Sequence, residues 1–173
     1  MKHRTSVRKL AAQPSVADPR RHLLRAVLAF VRAARSTLGV RRIALLGSLA
    51  TDKPVPKDAD LLVIIDADID LAPLARLGRR LKGTAQTINL GADIFLADEA
   101  DRYMGRICHY RECHLRAACL ALHCGRRQHL NDDLQIVRLS PALINAPPND
   151  LWPRIVTLCA VPADTEVAAA DLS

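Results

Sequence analysis

Two short apolar runs constrain this chain most: Ile43 to Leu46, and Leu61 to Ile65, which is apolar at every position. A half-exposed strand would alternate apolar with polar, and an amphipathic helix would break the run every third or fourth residue. Five apolar residues in a row therefore read as a strand buried on both faces. Around these strands the periodicity becomes helical. Asp18-Pro19 forms an N-cap followed by proline at the first helical position. Leu23, Leu24, Val27, Leu28, Phe30, Val31 and Leu38 then give a 3.6-period stripe that Gly39 should end. Asp70 can cap a second helix running to about Leu81, with Leu71, Leu74, Leu77 and Leu81 buried and Gly83 closing it. Thr87 to Leu90 can form a short extra strand, and Ala92 to Leu96 a third buried one.

From Asp98 to about Val137 the pattern reads as helical, and beyond Pro141 the chain breaks up around Pro147-Pro148 and Trp152-Pro153. The expected fold is α+β, a small mixed β-sheet flanked by helices with a C-terminal helical segment. The expected organisation is a flexible basic tail over 1–17 and a sheet domain over 18–104. A Cys/His-rich helical extension over 105–160 and a flexible tail over 161–173 should follow. A length of 173 residues suits one such domain.

Charge is unevenly spread. Residues 1–46 carry a net +10, residues 47–104 a net −3, and residues 105–173 none. A basic chain with an acidic centre suits a polyanionic ligand held beside a cation. Aromatic residues are only 3%, which argues against stacking platforms for single-stranded nucleic acid. No apolar run approaches the ~20 residues that cross a bilayer, so no membrane association is expected. The start of the chain lacks the apolar stretch of a secretory signal, and five cysteines is an odd number. Reduced thiols and a cytoplasmic location follow.

The residues that carry chemistry sit at the strand ends. Asp58 and Asp60, two apart at the entrance to the second strand, project to one side. Two adjacent carboxylates repel unless a cation lies between them or one keeps its proton. Asp93, heading the third strand, can bring a third carboxylate to the same point. Three such oxygen donors, with room for water and phosphate, suit Mg²⁺. Upstream, Gly47-Ser48 ends the first strand, where glycine permits close approach of a phosphate and serine adds a hydroxyl beside free N–H donors. Taken singly, each of these pieces is an ordinary exposed turn. Phosphoryl transfer needs them together.

The segment LLGSLATDKPVPKDADLLVIID resembles the signature of the DNA polymerase beta-like nucleotidyltransferase superfamily: an apolar strand, Gly-Ser, a short loop, then Asp-x-Asp in a second apolar strand. The third family carboxylate, on a later strand, is matched by Asp93 in GADIFLAD. The resemblance covers roughly 23–96 and is closest to the minimal nucleotidyltransferases, some of which are antitoxin partners of HEPN-type toxins. It implies that Asp58, Asp60 and Asp93 hold two Mg²⁺ ions and that Asp93 draws the proton from the attacking hydroxyl. Gly47 and Ser48 would bind the triphosphate of ATP or another NTP. Many minimal members carry Arg and a second Gly soon after Gly-Ser. Here the residues are Leu49-Ala50-Thr51-Asp52, and the fixed guanidinium fork is missing.

Three functions remain in competition. One is transfer of a nucleoside monophosphate to a hydroxyl of a protein, an RNA or a small molecule, with release of pyrophosphate. The second is an antitoxin-like interaction protein that keeps the fold and acts by binding a toxin. The third is nucleic-acid binding through the arginine-rich first helix, with steep salt dependence and no need for Mg²⁺. Cys108, His109, Cys113, His114, Cys119, His123 and Cys124 cluster further on. On one continuous helix the pairs His109/Cys113 and Cys119/His123 stand ~15 Å apart, too far to share one zinc ion. Arg116 and His123 match the loose R-x₄₋₆-H pattern of HEPN ribonucleases, but the chain after Met104 is short for that domain. Packing of these helices on the sheet is the expected role.

Overall fold

Helix formation begins where the sequence supplies its cap. In the computed structural model, which describes residues 18–108, 121 and 126–172, Asp18 accepts a hydrogen bond from the N–H of Arg21 at 3.1 Å and α1 runs Pro19–Ala34. Its buried face is Leu23, Leu24, Val27, Leu28, Phe30, Val31 and Ala34. Leu38 does not belong to that face. The helix stops four residues short of it, and Leu38 is 94% exposed in the turn that leads to β1 (Val40–Leu46).

A one-turn 3-10 helix, Gly47–Ala50, follows β1, and β2 spans Asp58–Ile65. α2 (Ala72–Gln86) starts as Asp70 accepts from the N–H of Ala72 at 2.9 Å. It runs through Gly83 rather than closing there. It ends where the Leu90 N–H bonds back to the Ala85 carbonyl at 3.1 Å and Asn89 takes a left-handed φ of 60°. That backbone closure makes Thr87 to Leu90 a helix-ending turn and not the extra strand. β3 (Gly91–Asp98) lies parallel to β2, with α2 as the crossover.

The helical expectation after Asp98 fails over the described residues. Asp98 closes a tight turn by accepting from the N–H groups of Ala100 and Arg102, and the chain returns as β4 (Tyr103–Ile107). β5 (Leu130–Asn131), the short helix α3 (Pro141–Asn145), β6 (Asn149–Trp152) and β7 (Val156–Thr157) complete an α+β fold. Its seven described strands lie in the order β5-β4-β3-β2-β1-β6-β7. The 105–160 segment therefore builds both wings of the sheet, and a boundary at 104 would cut through β4. The expected tail over 161–173 contains α4 (Ala163–Ala170), whose Thr165 and Ala169 are buried. Alanine is the strongest helix former, so this run forms a helix in place of the expected flexible tail. Residues 1–17, Arg116 and the cluster His109, Cys113, His114, Cys119, His123 and Cys124 lie outside the described residues. Cys108 is half-buried at the end of β4, its N–H donating to the His129 carbonyl at 2.8 Å. Among the described residues no helix is long and apolar enough to cross a membrane.

As the unbroken apolar run requires, β2 is buried on both sides. Leu61, Val63 and Ile65 join the main core under α1 and α2, while Leu62 and Ile64 join a smaller cluster with Ala44, Leu46, Phe95, Ala97 and Ile144. Arg42 holds α3 over this second cluster, pairing with Asp150 at 2.6 Å and donating to the Ile144 carbonyl at 3.3 Å. Leu61→Ala should destabilise the protein by about 2–5 kcal/mol in urea unfolding, whereas Leu38→Ala should change it by less than about 0.5 kcal/mol.

Candidate active site

The parallel register of β2 and β3 decides where the acids go. Asp58 stands opposite Gly91 and Asp60 opposite Asp93, on strands ~4.8 Å apart. Counting by twos, Asp58 and Asp60 share a face with Leu62 and Ile64, and Asp93 shares it with Phe95 and Ala97. Those four apolar residues belong to the second cluster. All three carboxylates thus project from the face away from α1 and α2, at the entry ends of two adjacent strands. The end of β1 reaches the same place, with Leu46 paired to Asp60, so Gly47-Ser48 begins directly beside that carboxylate.

Two glycines seat the acids. Gly47 has φ +66°, and a Cβ on it would overlap the carboxylate of Asp60. A Cβ on Gly91 would overlap Asp58, whose Oδ1 accepts from the Gly91 N–H at 3.1 Å. A side chain at either position would push its acid out of the group. Ser48 closes the intervening loop: its Oγ accepts from the N–H of Lys57 at 2.9 Å, and its carbonyl accepts from the Thr51 hydroxyl at 2.8 Å. The Ser48 hydroxyl proton remains available to a ligand oxygen.

Electrostatics follow from the crowding. Asp60 is raised from the ordinary 3.8 to about 6, first by burial and then by the like charges of Asp58 and Asp93. Among the described residues no three acid, His or Cys side chains already close around a point ready for a metal. The triad is an open edge of oxygen donors, with neither thiolate nor imidazole among the three. Such a set suits a hard divalent cation that takes its remaining ligands from water or phosphate.

Sequence reasoning missed Arg106. On β4 it pairs with Phe95, so it lies on the carboxylate face, and its Nη1 is 3.7 Å from Asp93 Oδ1. Its side chain is only 14% exposed. Tyr103, one strand position away on that face, is pushed up to about 12, chiefly by burial, with Asp93 adding to the rise and Arg106 opposing it. Alternation in YMGRI does not reveal it, because the irregularity at Gly105, φ +128°, is what brings Tyr103 and Arg106 to one face. Across the sheet the order is therefore Gly47-Ser48, then Asp58 and Asp60, then Asp93, then Arg106.

A family model matches residues 1–121, which include every one of these site residues. The chain belongs to DUF6932, a family of unknown function. No curated protein and no solved structure matches it. The match ends beyond β4, so β1 to β4 with their acids and Arg106 lie inside the family region, while α3, β6, β7 and α4 lie beyond it.

The raised Asp60 has a measurable consequence. Between pH about 4 and 6 the folded protein holds a proton that the unfolded chain has released, so Asp60 lowers stability as pH rises and does so fully above pH 6. Asp60→Asn should stabilise the metal-free protein by about 1–2 kcal/mol at pH 7.5, allowing for partial solvent screening. The gain should vanish near pH 4 in thermal unfolding. A gain of equal size at both pH values would contradict the raised Asp60.

Proposed function

We propose that this protein is a Mg²⁺-dependent nucleotidyltransferase of the polymerase beta-like type, moving a nucleoside monophosphate from an NTP to a hydroxyl. The observation that carries this reading is the register that sets Asp60 beside Asp93, with Asp58 on the same face and Gly47-Ser48 abutting Asp60. Asp58, Asp60 and Asp93 are the residues that would hold Mg²⁺. When bound, the ion would neutralise phosphate charge and favour the ionised form of the acceptor oxygen.

The chain's own contribution is positional. Gly47 lets the backbone turn close against the triphosphate, and the Ser48 hydroxyl donates to a phosphate oxygen. Asp93, at the far side of the acids from that loop, accepts the proton of the acceptor hydroxyl. The acceptor oxygen forms its bond to the α-phosphorus as the bond to the bridging oxygen breaks. Pyrophosphate leaves with that electron pair, and the proton passes from Asp93 to solvent. A reduced, cytoplasmic setting fits this use of NTP.

A second reading keeps the fold and assigns it to binding, as an antitoxin-like subunit. The loop residues Leu49-Ala50-Thr51-Asp52, which bring no guanidinium to the phosphates, favour it. Incubation with NTP labelled at the α-phosphate, Mg²⁺ and a cell extract separates the two. The enzyme predicts label transfer that falls by about 100-fold or more in Asp58→Ala, from loss of metal-bound charge stabilisation. Absence of transfer, with partner binding indifferent to Asp58, would favour the binder.

A further inference from the structure

Arg20 is bound to the loop that begins at Gly47. Its side chain is 8% exposed and donates four hydrogen bonds to three segments of chain. Nη2 reaches the Leu49 carbonyl at 3.0 Å and Nη1 the Lys53 carbonyl at 3.2 Å. On the other side Nε pairs with Asp164 at 2.6 Å, and Nη2 also donates to the Thr165 hydroxyl at 2.8 Å. Leu49 belongs to the 3-10 turn that starts with Gly47 and Ser48. Lys53 stands in the stretch that Ser48 closes through the Lys57 N–H. One guanidinium therefore ties both limbs of the loop to the first turn of α4.

The hold on α4 is mainly polar. Only Thr165 and Ala169 are buried within the helix, with Leu172 just beyond it. Eight residues are too few for a helix to persist alone in water. Besides Arg20 at its start, α1 grips the other end of α4: Arg32 and Arg35 donate to the carbonyls of Asp171 and Leu172 at 3.0 and 2.9 Å. Arg20 and Arg32 of α1, with Arg35 at its C-cap, are thus engaged in holding α4. A segment held by few apolar contacts opens at lower free energy than the sheet beneath it.

We propose that Arg20 is a positioning residue for the Gly47-Ser48 loop, and that docked α4 is the counterpart that keeps its guanidinium aimed at the Leu49 and Lys53 carbonyls. The proposal rests on the nucleotidyltransferase reading for its use. The missing fork after Gly-Ser is replaced from behind, by a guanidinium that shapes the loop and does not touch the phosphates. Loss of Asp164 frees the Nε side of the fork and lets the guanidinium rotate, which loosens the loop while leaving the carboxylates on β2 and β3 in register.

The test uses the full chain carrying Asp164→Asn, at a side chain that is 46% exposed, and Thr165→Val as a second variant. Amide hydrogen exchange should quicken by about tenfold or more at 47–57, with no change over β2 and β3. With Mg²⁺-ATP, KM should rise about tenfold while kcat stays within about twofold. Arg20→Lys, which keeps the charge without the planar fork, should show the same loop exchange. Unchanged exchange at 47–57 in both α4 variants would overturn the proposal, as would an equal rise across the whole sheet. If the loop loosens as stated but wild-type protein neither binds nor uses any NTP, the positioning role stands and the enzymatic reading fails. If wild-type protein transfers label and the variants match it with a protected loop, the reverse holds.

Discussion

The structure depends on the parallel register of β2 and β3, held by apolar burial against the crowding of three acids. Placing Asp60 directly across from Asp93 in a parallel pair, two residues from Asp58, sets three like charges on one edge where the sheet's apolar contacts would otherwise favour neutral side chains. The apolar halves of the same strands supply the opposing force: Leu61 to Ile65 and Ile94 to Ala97 are buried on both faces, and at roughly 25 cal/mol per Å² of buried apolar surface they lock the register. A one-residue slip of either strand would turn the acids into the main core. The strand that makes the fold thus also fixes the geometry of the charge cluster.

Local devices then tune the cluster. Glycine at 47 and at 91 gives each acid of β2 a seat that any larger residue would occupy. Arg106 pairs with Asp93 from the β4 side, while the Gly-Ser turn abuts Asp60 on the other. That asymmetry gives the edge a direction, with the Gly-Ser loop at one end and a guanidinium at the other.

Much of this was legible in the sequence because its signals were local. Unbroken apolar runs, an Asp-Pro cap, and Gly-Ser after a strand each depend on neighbours within a few residues. That Asp58 and Asp60 share a face needs only period-two projection, whereas Asp93 joins them only because β3 lies beside β2. What escaped depended on distant partners. Leu38 fits a helical stripe by spacing, but the helix stops before it. YMGRI has too few residues to reveal a strand until Phe95 and Asn131 flank it. The alanines of α4 read as slack because the groups that hold them, Arg20, Arg32 and Arg35, come from the other end of the chain.

The central claim is that the acids at 58, 60 and 93 share a divalent ion. The most direct measurement is a crystal structure with Mn²⁺ and a non-hydrolysable NTP analogue, read by anomalous scattering. The account predicts a peak bonded to oxygens of all three carboxylates at ~2.1–2.2 Å, with the triphosphate against Gly47 and Ser48. A peak elsewhere, or a nucleotide bound with no metal between these acids, would contradict it.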